Sequence, residues 1–195
     1  MGSGYYEHRL IKANSIELRD YQTNLANDAK NENSLVVLPT GLGKTTIALQ
    51  VMAHILSQNK GGVLLLAPTR VLVNQHFDFL KKNLLLDDIG IITGEDLINK
   101  RKKSWMNSVI CATPEITRND LERNMIDTEQ FSLMIFDEAH NLERTCEEIM
   151  SFKLSCDKIG CFPEVGSTIA SLSCAKIAFL DEYIPLQSGP LCLTF

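Results

Sequence analysis

A glycine-rich turn between an apolar run and an amphipathic segment constrains the fold of this chain more than any other feature. The apolar run at 35–38 leads into Pro-Thr-Gly-Leu-Gly-Lys-Thr at 39–45, and a helical pattern begins near Lys44. Glycines at 41 and 43 let the backbone turn tightly, so that amide N–H groups can converge on an anion. The N-terminal end of the following helix adds a positive dipole end. The stretch therefore predicts a strand, a phosphate-binding loop and a helix, in that order.

The residues that end this loop indicate a nucleoside triphosphate. Lys44 is placed to reach the β- and γ-phosphates, and Thr45 offers a hydroxyl to Mg²⁺. The strict G-x-x-x-x-G-K-[ST] pattern requires glycine at position 38, where this chain has Leu38. An ordinary glycine-rich loop is the alternative, but the flanking strand and helix disfavour it. The sequence thus predicts ATP and Mg²⁺ as ligands, and the loop residues expected to contact the nucleotide are Pro39, Thr40, Gly41, Leu42, Gly43, Lys44, Thr45 and Thr46.

The composition is that of one soluble globular domain. The chain has 195 residues, of which 45% are hydrophobic and 22% charged. It has no apolar run of the roughly 18 residues that a membrane span needs, and no signal-peptide pattern. We therefore expect a cytoplasmic protein in a prokaryote or a nuclear one in a eukaryote, not secreted and without a membrane partner. The net charge of −5 disfavours a wholly basic nucleic-acid binder but leaves room for a local basic face.

Cysteines are placed unevenly along the chain. Cys111 lies in an apolar run, and the other five of the six cysteines fall between positions 146 and 192. Their spacing lacks the paired C-x-x-C of common zinc sites. We interpret them mainly as small buried residues, with a metal or cluster site as the alternative.

Apolar runs and helical patterns alternate through the first two thirds of the chain. We expect strands at 35–38, 63–67, 89–94, 108–113 and 131–136, and helices at about 16–30, 44–58, 71–83, 96–107 and 114–124. This alternation predicts βαβ units and an α/β fold with a mainly parallel central sheet between layers of helices.

The strand at 131–136 ends in a second set of candidate catalytic residues. Asp137 can hold magnesium, generally through water, and Glu138 can polarise the attacking water as general base. A solvated helix start is the alternative, which the phosphate loop on another strand of the same sheet disfavours. His140 is a candidate for coupling the nucleotide state to a nucleic-acid site, although a lone histidine is more often structural.

Four motifs together resemble a known family. Residues 39–45, Ala67-Pro68-Thr69-Arg70, Ala112-Thr113-Pro114-Glu115 and Asp137-Glu138-Ala139-His140 look like motifs I, Ia, Ib and II of superfamily 2 helicases, in order. The sequence around these motifs, over about residues 6–140, resembles the Hef/FANCM family of DNA-repair translocases. The resemblance implies the first RecA-like lobe of such an enzyme, a three-layer P-loop NTPase domain.

The resemblance also implies roles for residues outside the phosphate loop. Arg19 and Gln22 match the adenine-contacting Q-motif; from the residues alone, a glutamine can pair with adenine and an arginine can stack on it, with a solvated helix face as the alternative. The positions that match contacts to the nucleic-acid backbone are Thr69, Arg70, Gln75 and Thr113. The basic run at 100–103 is interpreted as a solvated helix face, with a nucleic-acid or partner patch as the alternative.

Beyond His140 the amino-acid sequence no longer resembles that of Hef. Residues 137–152 look like the XPD/FANCJ/RTEL helicases, whose four cluster-binding cysteines lie between motifs I and II. Here only Cys111 lies in that interval, so the iron–sulfur cluster is not carried over to this chain. Motif III is not clearly present, and 168–171 is a poor candidate for it. We expect a lobe at 5–152, preceded by a tag-like remnant at 1–4. Residues 153–195 are expected to be either the end of that lobe or an aberrant, partly disordered tail.

The second RecA-like lobe does not fit in the remaining length. We expect either an N-terminal fragment or a tail from aberrant splicing, a frameshift or a chimera. The function expected is the ATP-binding lobe of an ATP-dependent DNA helicase or translocase of repair or fork type, weakly active or inactive alone because it lacks the second lobe's arginine finger. The alternatives are an RNA-dependent ATPase of RIG-I-like type and a non-catalytic nucleotide-binding module. DNA is the preferred partner and RNA the alternative; the sequence indicates no oligomeric state.

Overall fold

Helices and strands alternate between residues 20 and 136. A computed structural model describes residues 4–137, 175–180 and 191–194. The helices in the described ranges are α1 Asp20–Ala29, α2 Lys44–Ser57, α3 Arg70–Asn83, α4 Ile98–Ser104 and α5 Pro114–Glu122. The strands in those ranges are β1 Ser34–Val37, β2 Gly62–Leu66, β3 Ile89–Ile92, β4 Val109–Ala112, β5 Phe131–Phe136, β6 Ala175–Leu180 and β7 Leu191–Thr194.

The seven strands form one sheet in the order β3-β4-β2-β5-β6-β1-β7. Every neighbouring pair is parallel except β7, which runs antiparallel along β1. The prediction of a mainly parallel α/β sheet is therefore confirmed. β6 and β7 were not predicted, and both come from the segment 153–195. β6 lies between β5 and β1, so this segment supplies an internal strand of the sheet.

Helices cover both faces of the sheet, which gives three layers. Along β2, Val63 and Leu65 pack in one hydrophobic cluster with residues of α1, α2 and α3. Leu64 and Leu66 pack in a second cluster, on the opposite face, with Trp105 after α4 and with residues of α5. The uniformly apolar sequence of β2 is thus explained, because a strand buried on both faces has no polar side.

α2 begins at Lys44 and is almost entirely buried beyond its first turn. Gly43 occupies its N-cap position with a left-handed backbone, and the helix ends at Ser57, next to the predicted position 58. Its buried residues include Ile47, Leu49 and Met52, which pack against the sheet. The first turn of α2 is thereby held at the end of β1, where the phosphate-binding loop was predicted.

The first helix differs from its prediction in start and in buried face. It begins at Asp20 instead of 16, because the preceding segment pairs with the N-terminal residues: the Leu18 N–H donates to the Gly4 carbonyl at 2.8 Å. The spacing of Leu18, Tyr21, Leu25 and Ala29 predicts one apolar helix face, but Leu18 is 44% exposed. Gln22 is 3% exposed instead, on the same face as Leu25.

The basic run at 100–103 is not a uniformly solvated face. Arg101 is 6% exposed, and its Nη2 lies 3.0 Å from Oδ1 of Asp120, a residue of α5 that is 0% exposed. Lys102 and Lys103 are exposed as expected. The interpretation of a solvated face was therefore wrong for Arg101, because this side chain compensates a buried carboxylate on a neighbouring helix.

Candidate functional site

The predicted site residues follow different strands but meet at one edge of the sheet. The glycine-rich loop follows β1, Thr69 follows β2, Thr113 follows β4 and Asp137 follows β5. These four strands are parallel members of one sheet, so their carboxyl ends lie at the same edge. One strand, β6, separates the loop from Asp137, a spacing of about 10 Å between β1 and β5.

The loop has the backbone that its glycines were expected to allow. Gly41 and Gly43 have φ angles of +87° and +80°, a left-handed conformation that costs other residues energy. The Leu42 N–H donates to the Pro39 carbonyl at 3.3 Å, and the Thr46 N–H donates to the Gly43 carbonyl at 2.9 Å, where α2 starts. The loop is thus a tight turn that leads directly into a helix N-terminus.

Two residues of α1 fix the tip of this loop. Gln22 Nε2 donates to the Leu42 carbonyl at 3.0 Å, and the Tyr21 hydroxyl donates to the same carbonyl at 2.7 Å. A Cβ on Gly43 would lie 2.3 Å from Gln22 Nε2, so the amide fits only because residue 43 has no side chain. The structure therefore brings Gln22, which the resemblance implies as an adenine contact, to the tip of the loop. The helical spacing of the sequence predicts Tyr21 only on the apolar face of α1; its position beside Gln22 was the available signal for a role at the loop.

Arg19 stands at the entrance to α1 with its side chain 47% exposed. Its Nη2 donates to Glu17 Oε2 at 3.2 Å. Hydrogen bonds to the Tyr21 hydroxyl and then to the Glu17 carboxylate raise the pKa of Arg19. The guanidinium is therefore a charged, solvent-facing group next to the residues that hold the loop.

Lys44 and Thr45 open α2 at the inner side of the loop. The Lys44 ammonium donates to the Leu38 carbonyl at 3.3 Å, which folds the side chain back over the turn. Thr45 and Thr46 are half-buried, whereas Thr40, Gly41 and Leu42 are exposed. The loop thus offers backbone N–H groups, one cation and three threonine hydroxyls around a single turn.

Asp137 lies just past β5 and is held from both backbone and side chain. Its N–H donates to the Leu66 carbonyl at 2.9 Å, which prolongs the pairing of β5 with β2. Its Oδ2 lies 2.8 Å from Nε2 of His76 on α3. His76 had not been predicted as a site residue, although its spacing from Val73 and Leu80 places it on the buried face of α3.

The oxygen donors at this edge suit magnesium. Mg²⁺ is usually bound by one or two carboxylates together with substrate phosphates and water, and hydroxyl and carboxylate oxygens are its preferred protein ligands. Thr45 and Asp137 supply one oxygen group each. Among the described residues, no cluster of three histidine, cysteine or acidic side chains offers a self-sufficient metal cage. Glu138 and His140 lie outside the described residues.

The residues predicted to contact nucleic acid begin α3 and α5. Thr69 and Thr113 are N-caps: their hydroxyl oxygens accept from the Leu72 and Ile116 N–H groups at 3.3 and 3.5 Å. Arg70 forms an exposed ion pair with Glu95, and Gln75 is exposed on α3. Both threonines therefore have a helix-capping role whether or not they touch a ligand.

Two further sequence expectations bear on the class of protein. Cys111 is a free, buried cysteine, and burial raises the pKa of its thiol to about 12. It is thus a core residue, as interpreted; the side chains of the other five cysteines lie outside the described ones. Across the helices that the structure describes, none combines the length and the apolar character required to cross a membrane.

Comparison with known proteins connects this geometry to a family. The family model for the DEAD/DEAH box helicases matches residues 19–173, from Arg19 to a point well beyond residue 140, where the argument from motifs ended. A putative ATP-dependent RNA helicase of Methanocaldococcus jannaschii is 38% identical over 171 residues, which cover 85% of this chain and 22% of that protein. The DEAD-box ATP-dependent DNA helicase Fancm of Drosophila melanogaster is 38% identical over 141 residues, covering 68% of this chain and 10% of its own.

A solved structure shows the same fold. The Pyrococcus furiosus Hef helicase domain matches with a TM-score of 0.70 and 31% sequence identity, over 87% of this chain and 34% of that one. The RecA-like architecture and the likeness to Hef/FANCM-type DNA-repair helicases, both implied by the motifs, are thereby confirmed. This chain spans about a third or less of each protein that it matches here. It belongs to the DEAD/DEAH box helicase family.

Proposed function

We propose that this chain is the ATP-binding lobe of an ATP-dependent DNA helicase or translocase of repair or fork type. The observation that carries the proposal is the docking of Gln22 on the Leu42 carbonyl, at the sheet edge that also bears Asp137. This arrangement joins an element for the base, a loop for the phosphates and a carboxylate for the metal. In this proposal the Gln22 amide exchanges its Nε2 partners, the Leu42 carbonyl and the Tyr21 hydroxyl, for the donor and acceptor edge of adenine, to which a glutamine amide is complementary.

In this proposal each part of the site has one task toward the nucleotide. Arg19 and Gln22 contact the adenine base, and the N–H groups of residues 39–46 surround the phosphates. The Lys44 ammonium leaves the Leu38 carbonyl, 3.3 Å away, for the β- and γ-phosphate oxygens. The positive end of α2 stabilises the same negative charge.

The Thr45 hydroxyl and the Asp137 carboxylate hold the magnesium ion, partly through water. When bound, Mg²⁺ neutralises phosphate charge that builds up as the terminal phosphoryl group leaves. Glu138 acts as general base toward the attacking water, and His140 links the nucleotide state to the nucleic-acid site. These two roles come from the motif alone.

The nucleic-acid face lies at the starts of α3 and α5. Thr69, Arg70, Gln75 and Thr113 contact the sugar–phosphate backbone, which positions a strand without reading its sequence. Arg70 exchanges the carboxylate of Glu95 for a phosphate of the strand. This exchange costs little, because an exposed ion pair contributes little net free energy. DNA is proposed as the partner because the Drosophila relative is named as a DNA helicase.

The relatives are much longer than this chain, which covers 22% and 10% of two of them. We therefore assign the motor activity to a protein of that full length. A second RecA-like lobe that carries an arginine finger would complete the hydrolytic site, and such an arginine is worth roughly 10³–10⁵ in rate. We accordingly propose that the isolated chain binds ATP and Mg²⁺ but turns ATP over weakly or not at all. A nuclear or cytoplasmic location fits a DNA-repair role.

RNA is a second candidate for the nucleic acid. The relative from Methanocaldococcus jannaschii is named as a putative RNA helicase and matches 85% of this chain. Backbone contacts alone distinguish RNA from DNA only through the 2′-hydroxyl. The binding experiment below separates the two partners.

The test is nucleotide and nucleic-acid binding by this chain beside its Lys44→Ala variant. A fluorescent ATP analogue, with Mg²⁺ present, measures nucleotide affinity, and labelled single-stranded DNA, forked DNA and single-stranded RNA measure strand preference. ATPase rates are recorded for each mixture. We expect ATP–Mg²⁺ binding that Lys44→Ala abolishes, little turnover, and tighter binding to DNA than to RNA.

Each outcome bears on a different part of the proposal. Absence of nucleotide binding by the unmodified chain would overturn the proposed site. Stronger binding to RNA would replace DNA as the partner and favour the RNA-dependent alternative. ATP binding without affinity for either nucleic acid would favour a nucleotide-binding module that is not a motor.

A further inference from the structure

A histidine contacts the magnesium ligand that the motif predicts. His76 Nε2 lies 2.8 Å from Asp137 Oδ2, and the two side chains are only 9% and 14% exposed. The residues are 61 positions apart in the chain, on α3 and just after β5. The contact is thus a tertiary one, made in a place where water competes little.

The fold presents His76 to this spot from the buried side of α3. Val73, His76 and Leu80 recur at helical spacing and are all buried, whereas Gln75 beside them is exposed. The same stripe ends at Asn83, a second buried polar residue, whose amide donates to the Phe79 carbonyl at 2.7 Å. A polar side chain in such a stripe costs desolvation energy unless it finds a partner, and the partner of His76 is the Asp137 carboxylate.

The chemistry of the pair fixes the direction of the hydrogen bond. An ionised carboxylate only accepts, so the imidazole Nε2 carries the proton and donates it. The bond engages Oδ2 and restrains rotation of the carboxylate about its Cβ–Cγ bond. Oδ1 is then the oxygen that can face a metal ion or a metal-bound water.

We propose that His76 is a positioning residue that holds the Asp137 carboxylate in the orientation needed for Mg²⁺. The inference rests on the proposed function, since it assigns Asp137 to the metal that accompanies ATP. Partners that orient a metal ligand in this way typically change metal affinity by about 10–100-fold when they are removed. A purely structural tie between α3 and β5 would instead affect stability without a specific effect on magnesium.

The experiment compares ATP affinity with excess Mg²⁺ and with EDTA, using a fluorescent ATP analogue and this chain. His76→Phe keeps a ring but removes the donor, and His76→Gln places an amide N–H near the position of Nε2. His54→Phe, at the far end of α2 from the loop, is the matched control. Thermal unfolding in EDTA shows that each variant is folded.

We expect His76→Phe to reduce the tightening of ATP binding by Mg²⁺ on the order of 10-fold, with ATP affinity in EDTA unchanged. His76→Gln should recover most of this effect, and His54→Phe should behave like the unmodified chain. An unmodified chain that binds no ATP would remove the proposed function and this inference together.

Three results would overturn the inference while leaving the proposed function intact. The first is a normal magnesium effect in His76→Phe. The second is an equal loss of ATP affinity with and without Mg²⁺, which would indicate a general structural role. The third is a loss in His76→Gln as large as in His76→Phe, which would show that the donated hydrogen bond is not the cause.

Discussion

Gly43 and Gln22 compete for one small space at the tip of the phosphate loop. The Gln22 amide reaches the Leu42 carbonyl by passing 2.3 Å from the place where a Cβ of residue 43 would stand. Glycine is therefore required at position 43 for two reasons: the backbone is left-handed there, with φ +80°, and the Gln22 side chain needs the space. Only the first reason applies to Gly41, because a Cβ there would meet nothing within 4 Å.

This difference makes Gly41→Ala a matched control for Gly43→Ala. Both variants carry alanine in a left-handed conformation, which costs about 1–2 kcal/mol. Gly43→Ala also displaces the Gln22 amide, a loss of about another 1 kcal/mol. We expect the free energy of unfolding in urea to fall further for Gly43→Ala by that amount.

The contact can be isolated in a Gln22→Ala background. There the two glycine variants should cost the same, because no amide is left to displace. Equal losses in the unmodified background would contradict the argument. So would an extra loss in Gly43→Ala that persists without Gln22.

Helices α4 and α5 are joined by buried polar groups as well as by apolar packing. Arg101 lies 3.0 Å from Asp120 Oδ1, and Trp105 Nε1 donates to Asp120 Oδ2 at 2.9 Å. The Arg101–Asp120 contact is an ion pair outside hydrogen-bond geometry. Trp105 also packs edge-on against Phe131 of β5, so the cluster ties both helices to the sheet.

We expect Arg101→Met to lower the free energy of unfolding by about 3–5 kcal/mol, because it leaves the Asp120 carboxylate buried without a counter-charge. Lys102→Met, at the adjacent exposed position, should change it by less than about 0.5 kcal/mol. Urea unfolding measures both. The double variant Arg101→Met/Asp120→Asn should be more stable than Arg101→Met, since asparagine removes the charge and keeps an acceptor for Trp105. Equal stability of the Arg101 and Lys102 variants would refute this assignment.

Across the whole molecule, the order of the strands makes residues 175–180 and 191–194 part of the sheet. β1 is hydrogen-bonded to β6 on one side and β7 on the other, and β6 also pairs with β5. Loss of β7 leaves β1 with one neighbour at the sheet edge. Loss of β6 and β7 leaves it with none and detaches the phosphate loop from the strand that bears Asp137.

Two truncations of the chain distinguish these effects. A chain ending at residue 190 should unfold cooperatively at a lower temperature than the full chain and still bind ATP. A chain ending at residue 174 should lose cooperative unfolding and ATP binding, and expose apolar surface to a hydrophobic dye. Circular dichroism melts and dye fluorescence measure the outcome. Cooperative unfolding and ATP binding by the 174-residue chain would show that β6 is dispensable.

Local patterns were sufficient for the elements around the loop. β5 was predicted at its observed bounds, and α2 was predicted to start at Lys44. An apolar run, two glycines and a helical spacing are short-range signals, since backbone sterics and side-chain direction act within a few residues. The glycine conformations at 41 and 43 follow from the same signals.

Residues whose environment depends on distant partners were predicted less well. Leu18 was assigned to a buried face and is exposed, and Arg101 was assigned to solvent and is buried. Leu18 is exposed because its backbone pairs with Gly4 outside the helix, and Arg101 is buried because it lies against the Asp120 carboxylate. His76 likewise gained its importance only from Asp137, which folding brings to it.

By itself, the sequence determined the α/β class, the phosphate loop, and the set of residues expected at the carboxyl ends of the strands. Only the tertiary structure decided that β6 lies between β1 and β5, that Gln22 is docked on the loop, and that His76 contacts Asp137. Propensity and periodicity specify what a segment becomes. Which segments meet depends on strand pairing and on the partners that buried polar groups require, and these join residues far apart in the chain.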